Sequence, residues 1–176
     1  PLDWPFNKAT ISNEGGASIT LDNKHLYFTQ NNNGNYDICV THWINGSWDE
    51  ILNMGPEIND PKKWDSQPSV TQDGNTLYFA SRRDSLTGTD IYVSHKDSLG
   101  NWIKAEKLPA PINTKGNDKT PFIHPDGKTL YFSSDGLIGM GAGDIYMSKL
   151  DSNGNWSQPV NLGYPINTDA DEVGFF

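Results

Sequence analysis

The sequence predicts an all-β fold, a β-propeller of four-stranded antiparallel blades. Three observations carry that prediction: a strand-and-turn phrase written three times, recurring markers at fixed spacing, and no stretch with a 3.6-residue period. Leu-Tyr-Phe stands at 26–28, 77–79 and 130–132, each time behind a turn. Asp-Ile opens a short apolar run at 37–38, 90–91 and 144–145. A tryptophan closes a Gly/Asn turn at Trp48, Trp102 and Trp156, and Ile-Asn follows a proline-bearing loop at 58–59, 112–113 and 166–167. The tryptophans and the Ile-Asn pairs each recur at intervals of 54 residues, both times. A four-stranded repeat of about 40 to 50 residues is the unit of a propeller blade.

The elements of the second unit follow in order. "PSVT" at 68–71 is a first strand, and the "QDGN" turn returns the chain into "TLYFAS". The loop "RRDSLTGT" leads to "DIYVSHK", and "DSLGN" turns the chain out along "WIKAEKLP". In the second and third strands apolar residues run on without alternation, so both faces are expected to be covered. The fourth strand carries Lys104 and Lys107, with Pro159 in the third unit, which suits an exposed edge.

Composition narrows the partners. The chain has 176 residues, 13 Lys and Arg against 22 Asp and Glu, and a net charge of −9. That balance lacks the basic footprint a phosphate backbone requires, so no nucleic acid is expected. No apolar run approaches the roughly 18 to 20 residues of a membrane helix, so no direct membrane insertion is expected. Cys39, the single cysteine, forms no internal disulfide and reads as buried packing.

The repeat "PDGKTLYFSSDG…GDIYMS" at 125–148 and its partner "QDGNTLYFASRRD…TDIYVS" at 72–94 resemble the WD40-like, TolB-type propeller repeat. That repeat also occurs in bacterial envelope proteins that join such blades to helical repeats and a peptidoglycan-binding OmpA-like domain. The first unit departs from the pattern: Asn23 replaces the turn glycine and Cys39 the tyrosine of "DIY". The resemblance implies a non-catalytic scaffold or secretion-associated module, periplasmic or at the outer membrane, with a protein or peptidoglycan partner. The same repeat also builds propellers attached to hydrolases, which leaves an enzyme or a glycan-binding propeller as the alternatives.

The expected division is a preceding tail at 1–13, blades at 14–59, 60–113 and 114–167, and the start of a further blade at 168–176. "WPFN" at 4–7 aligns with "YPIN" at 164–167, and "DEVGFF" at 171–176 with "DKTPFI" at 118–123. Three blades fall short of the about 4 to 8 that close a ring. Two bare faces, each showing about three large side chains at about 1.5–3 kcal/mol apiece, would cost as much as the roughly 5–15 kcal/mol that holds a domain together. The expectation is a portion of a larger propeller, covered by further blades or by a second copy.

Marker distances locate the variable loops. From first-strand Ile or Val to the LYF leucine the interval is always 7, whereas from the LYF phenylalanine to the Asp it grows from 9 to 11 to 12. The blade-to-blade connection also drifts, so the uneven loops gather on one face. Binding usually rides on such loops.

Candidate binding residues follow. Glu14, Asp65, Asp118 and Asp171 head the innermost strands; they would form a ring of carboxylates for a cation or basic group, or accept hydrogen bonds from their own loop amides. His124 stands where the other units have Thr20 and Thr71. Arg82 and Arg83, in a long loop, would clamp an acid or pair with a loop carboxylate. Trp64, in a blade-to-blade loop, would stack on a sugar. "GMGAGD" at 139–144 opens no helix and so is no dinucleotide loop, and "DSNGNW" at 151–156 lacks the bidentate Glu of a calcium loop. No catalytic motif, metal-ligand spacing or cofactor signature is found.

Overall fold

The structure, a computed structural model, describes residues 5–6, 14–32 and 34–174, and every regular element among them is a strand. Trp4 and Asn7 of the expected preceding tail, and Phe175 and Phe176, lie outside the described residues. The first sheet holds β1 (Glu14–Ile19), β2 (His25–Asn32), β3 (Asn35–Ile44), β4 (Ser47–Trp48) and β5 (Leu52–Asn53). The second holds β6 (Asp65–Val70), β7 (Thr76–Ser81), β8 (Asp90–His95) and β9 (Glu106–Lys107). The third holds β10 (Asp118–Ile123), β11 (Thr129–Ser134), β12 (Asp144–Lys149) and β13 (Val160–Asn161). Each sheet is antiparallel in chain order, and the three Leu-Tyr-Phe triplets lie in three separate sheets.

The tight turns explain the fixed interval of seven. Asp22, Asp73 and Asp126 each accept, through Oδ1, the amide of the residue two positions on, at 3.0, 3.0 and 2.8 Å. Gly74 and Gly127 then take φ of 71° and 67°, and Asn23 takes 57° in the first unit. Asparagine tolerates this left-handed region better than other side chains, so the departure from glycine leaves the turn intact.

The fourth strand is shorter than expected. It shrinks to two residues in each unit, and in the first it splits into β4 and β5, both on β3. The reason is that a side chain replaces much of the strand. Asn59, Asn113 and Asn167 accept the amides of Ile38, Ile91 and Ile145 at 2.8, 2.7 and 2.8 Å and donate back to their carbonyls at 2.9, 2.8 and 2.9 Å. The Ile-Asn marker therefore clamps the blade's third strand where a ladder would otherwise run.

The core lies between sheets rather than within one. Tyr27, Ile38 and Ile58 of the first pack on Val70, Leu77, Phe79 and Tyr92 of the second. Tyr78, Ile91 and Ile112 of the second pack on Ile123, Leu130, Phe132 and Tyr146 of the third. Trp102 stands edge-on to Tyr27 at 6.0 Å, and Trp156 to Tyr78 at 6.2 Å. Trp102 and Trp156 thus lock the second and third blades each onto the one before it.

Candidate functional site: an axial groove

The inner strands β1, β6 and β10 lie side by side along a groove of about 990 Å³, a volume within the roughly 300–1,000 Å³ of ligand sites. Each carries a bulge, between Gly15 and Ala17, Ser66 and Ser69, and Lys119 and Phe122. At the bulge Gly16, Gln67 and Thr120 have φ of 49°, 58° and 48°. Gln67 and the β-branched Thr120 are outliers there, held by the neighbouring blades. Gln67 N donates to Thr29 Oγ1 at 3.0 Å, and Thr120 N to Gln67 Oε1 at 3.0 Å. Further along, Val70 N donates to Ser18 Oγ at 3.0 Å and Ile123 N to Ser69 Oγ at 2.9 Å.

The two carboxylates Asp65 and Asp118 do not reach this groove as ligands. Both are fully buried. Asp65 accepts the Asp60 amide and pairs with Arg83 at 2.6 Å; Asp118 accepts the amide and hydroxyl of Thr114 and the Ser134 hydroxyl. Burial pushes both carboxyls above the ordinary range, against those hydrogen bonds. Asp171 is exposed, and the corresponding position is Glu172: Thr168 Oγ1 donates to Glu172 Oε1 at 2.6 Å as Thr114 does to Asp118. Glu14 alone of the four expected acids lines the groove. Of the two readings of these acids, Asp65 and Asp118 follow the second and staple the blade-to-blade loops, Glu172 takes that place in the third connection, and Glu14 faces the groove. No group of three or more His, Cys, Asp or Glu among the described residues is placed to hold a metal ion.

The other candidates separate. His124 follows β10 in the tight turn rather than on the strand, half-exposed, with Nδ1 accepting the Asp126 amide at 3.2 Å. It fills the role in which Thr20 and Thr71 bond Asp22 and Asp73. Arg83 stacks on Tyr92 at 4.6 Å besides pairing with Asp65. Arg82 is exposed, 5.4 Å from the Trp64 ring, and Trp64 lines the groove at its long-loop end together with Tyr36. In "GMGAGD" the amides of Met140 and Gly141 cradle the chain's own Asp144 at 2.9 and 3.1 Å. Asp151 closes its hairpin through the amides of Asn153 and Asn155. Cys39 is buried, which pushes its thiol up to about 12.

Phe122 is the residue that reading by motif passes over. It lines the groove where the other two blades present Ser18 and Ser69. Its signal in the sequence is a break in the repeat, an aromatic where the other two units have serine.

Compared with known proteins, the chain matches no family model and no curated sequence. It is similar to solved structures. TolB from Acinetobacter baumannii is 17% identical with a TM-score of 0.55, over 84% of this chain and 32% of that one. A protein assigned as TolB from Agrobacterium tumefaciens is 18% identical with a TM-score of 0.59, over 93% and 55%. The α-L-arabinofuranosidase PaAbf62A from Podospora anserina, in complex with cellotriose, is 12% identical with a TM-score of 0.55, over 91% and 54%. The chain thus spans about a third to about half of the structures it resembles. At such identities the likeness shows the fold: the three sheets match blades of a larger β-propeller.

Proposed function

We propose that this propeller segment is a non-catalytic binding module of a bacterial cell-envelope protein, periplasmic or at the outer membrane, that offers its groove mouth and long loops to a protein or cell-wall partner. One observation carries the reading: the acids that recur in every blade are spent on the fold. Asp90 pairs with Lys107 at 2.8 Å and Asp144 takes loop amides, as Asp65 and Asp118 do. A glycosidase needs two carboxyl groups about 5 to 9.5 Å apart across the scissile bond, and among the described lining residues the groove presents one, Glu14. The long loops instead carry apolar tips, Leu86 at 93% and Ile138 at 97% exposure, the side-chain type that interfaces bury.

Retention on isolated bacterial envelopes tests this reading. Leu86→Ser with Ile138→Ser is expected to lower retention without moving the thermal midpoint. Turnover of aryl glycosides or prolyl peptides that Glu14→Gln abolishes would overturn it.

A further inference from the structure

We propose that the axial groove takes a neutral, hydroxyl-rich oligosaccharide, a ligand class that rests on the binding reading above and makes it specific. The argument begins with what the groove has already used. An extended peptide added along an inner strand would need free backbone donors on that edge. On β6 and β10 they are spent or missing. Gln67, Val70, Thr120 and Ile123 give their amides to side chains of the preceding blade, and Pro68 and Pro121 have none.

What remains is side-chain chemistry. Gln67 commits Oε1 to Thr120 N, which leaves its Nε2 donors for a ligand. Ser18 accepts an amide proton and keeps its own hydroxyl proton to give. The rings of Tyr36, Trp64 and Phe122 line the same groove. Hydroxyls and amides beside aromatic faces suit a sugar, whose ring edges exchange hydrogen bonds while its faces are apolar. Charge agrees: Glu14 is the one charged residue among the described lining, and the whole chain carries −9. An acidic glycan would be repelled, and a basic ligand would find a single partner.

Phe122 supplies a clean test, because Phe122→Ser writes in the residue that the other two blades already have and so is compatible with the fold. The 176-residue chain is titrated with cellohexaose, mannohexaose and chitohexaose, all uncharged, and with oligogalacturonate, following tryptophan fluorescence and heat. At least one uncharged hexasaccharide is expected to bind saturably and oligogalacturonate not to. Phe122→Ser and Trp64→Ala are each expected to weaken binding by about twofold to tenfold, the scale of one lost aromatic contact, with Leu99→Ala, on the opposite tight-turn face, unchanged. Failure of every uncharged hexasaccharide at millimolar concentration, or full affinity in Phe122→Ser, overturns the proposal. Retention on envelopes in the absence of sugar binding sinks the glycan and spares the binding module; loss of both sinks both. A peptide that binds in a Phe122-dependent way where sugars do not also overturns the sugar class.

Discussion

Three asparagines do at residue scale what an outer strand does in other sheets. Asn113 satisfies both the amide and the carbonyl of Ile91, and all four atoms are buried. Asn113→Ala orphans the buried Ile91 amide and takes a donor from the Leu108 carbonyl, while the Ile91 carbonyl keeps the Leu108 amide at 3.0 Å, so a loss of about 1–3 kcal/mol is expected in urea unfolding. Asp126 carries a different role. Desolvation, the largest single effect, raises its carboxyl, but the amides of Lys128 and Thr129, the Thr129 hydroxyl and the nearby His124 together hold it down to about 2. Its folded value lies below its unfolded one, so its contribution is complete above the unfolded value, about 4, and disappears as pH falls toward 2. Asp126→Asn is therefore expected to flatten the fall of stability between about pH 4 and 2, read as urea midpoints across that range.

At the scale of elements, the inner strands hold stored strain. Thr120 is a β-branched residue at φ 48° whose Oγ1 is buried with no partner. Left-handed backbone in such a residue costs about 1–3 kcal/mol, while glycine gives back about 0.5–1 kcal/mol in chain entropy. Thr120→Gly is expected to raise stability by about 1 kcal/mol, measured as an upward shift in the thermal midpoint. Gln67→Gly is not its equivalent, because it removes the acceptor for Thr120 N. Strand type and turn position were legible in the sequence, since Leu-Tyr-Phe and Asp-Gly or Asp-Asn are local signals. The bulge was not, for a left-handed Gln or Thr has no signature in the chain and exists because the neighbouring blade supplies its hydrogen bonds.

At the scale of the whole molecule, repeat counterparts differ in how far they are covered. Ile58 and Ile112 are 0% exposed, while Ile166 in the same place on the third blade is 45% exposed. On the opposite side Val70 and Ile123 are buried, and their counterpart Ile19 is 42% exposed. The segment 168–174 already starts along the third blade, with Glu172 N donating to Gly143 O at 2.8 Å and Ser133 Oγ to Glu172 O at 2.6 Å. In this chain Ile112→Ala is expected to cost about 2–5 kcal/mol and Ile166→Ala within about 0.5 kcal/mol of nothing. In a longer chain that carries the succeeding blade, the two costs converge.

The candidate site divides along the same line. The sequence by itself determined the blade, its ruler of 54 residues, its turns and the face where loops vary, because each depends on residues close together in the chain. Tertiary structure alone decided that Asp65 and Asp118 serve loops, that Glu172 rather than Asp171 follows them, and that Tyr36, Trp64 and Phe122 share one groove. Those outcomes depend on which blade faces which, and the repeat, being the same in every blade, contains no record of what stands across the groove.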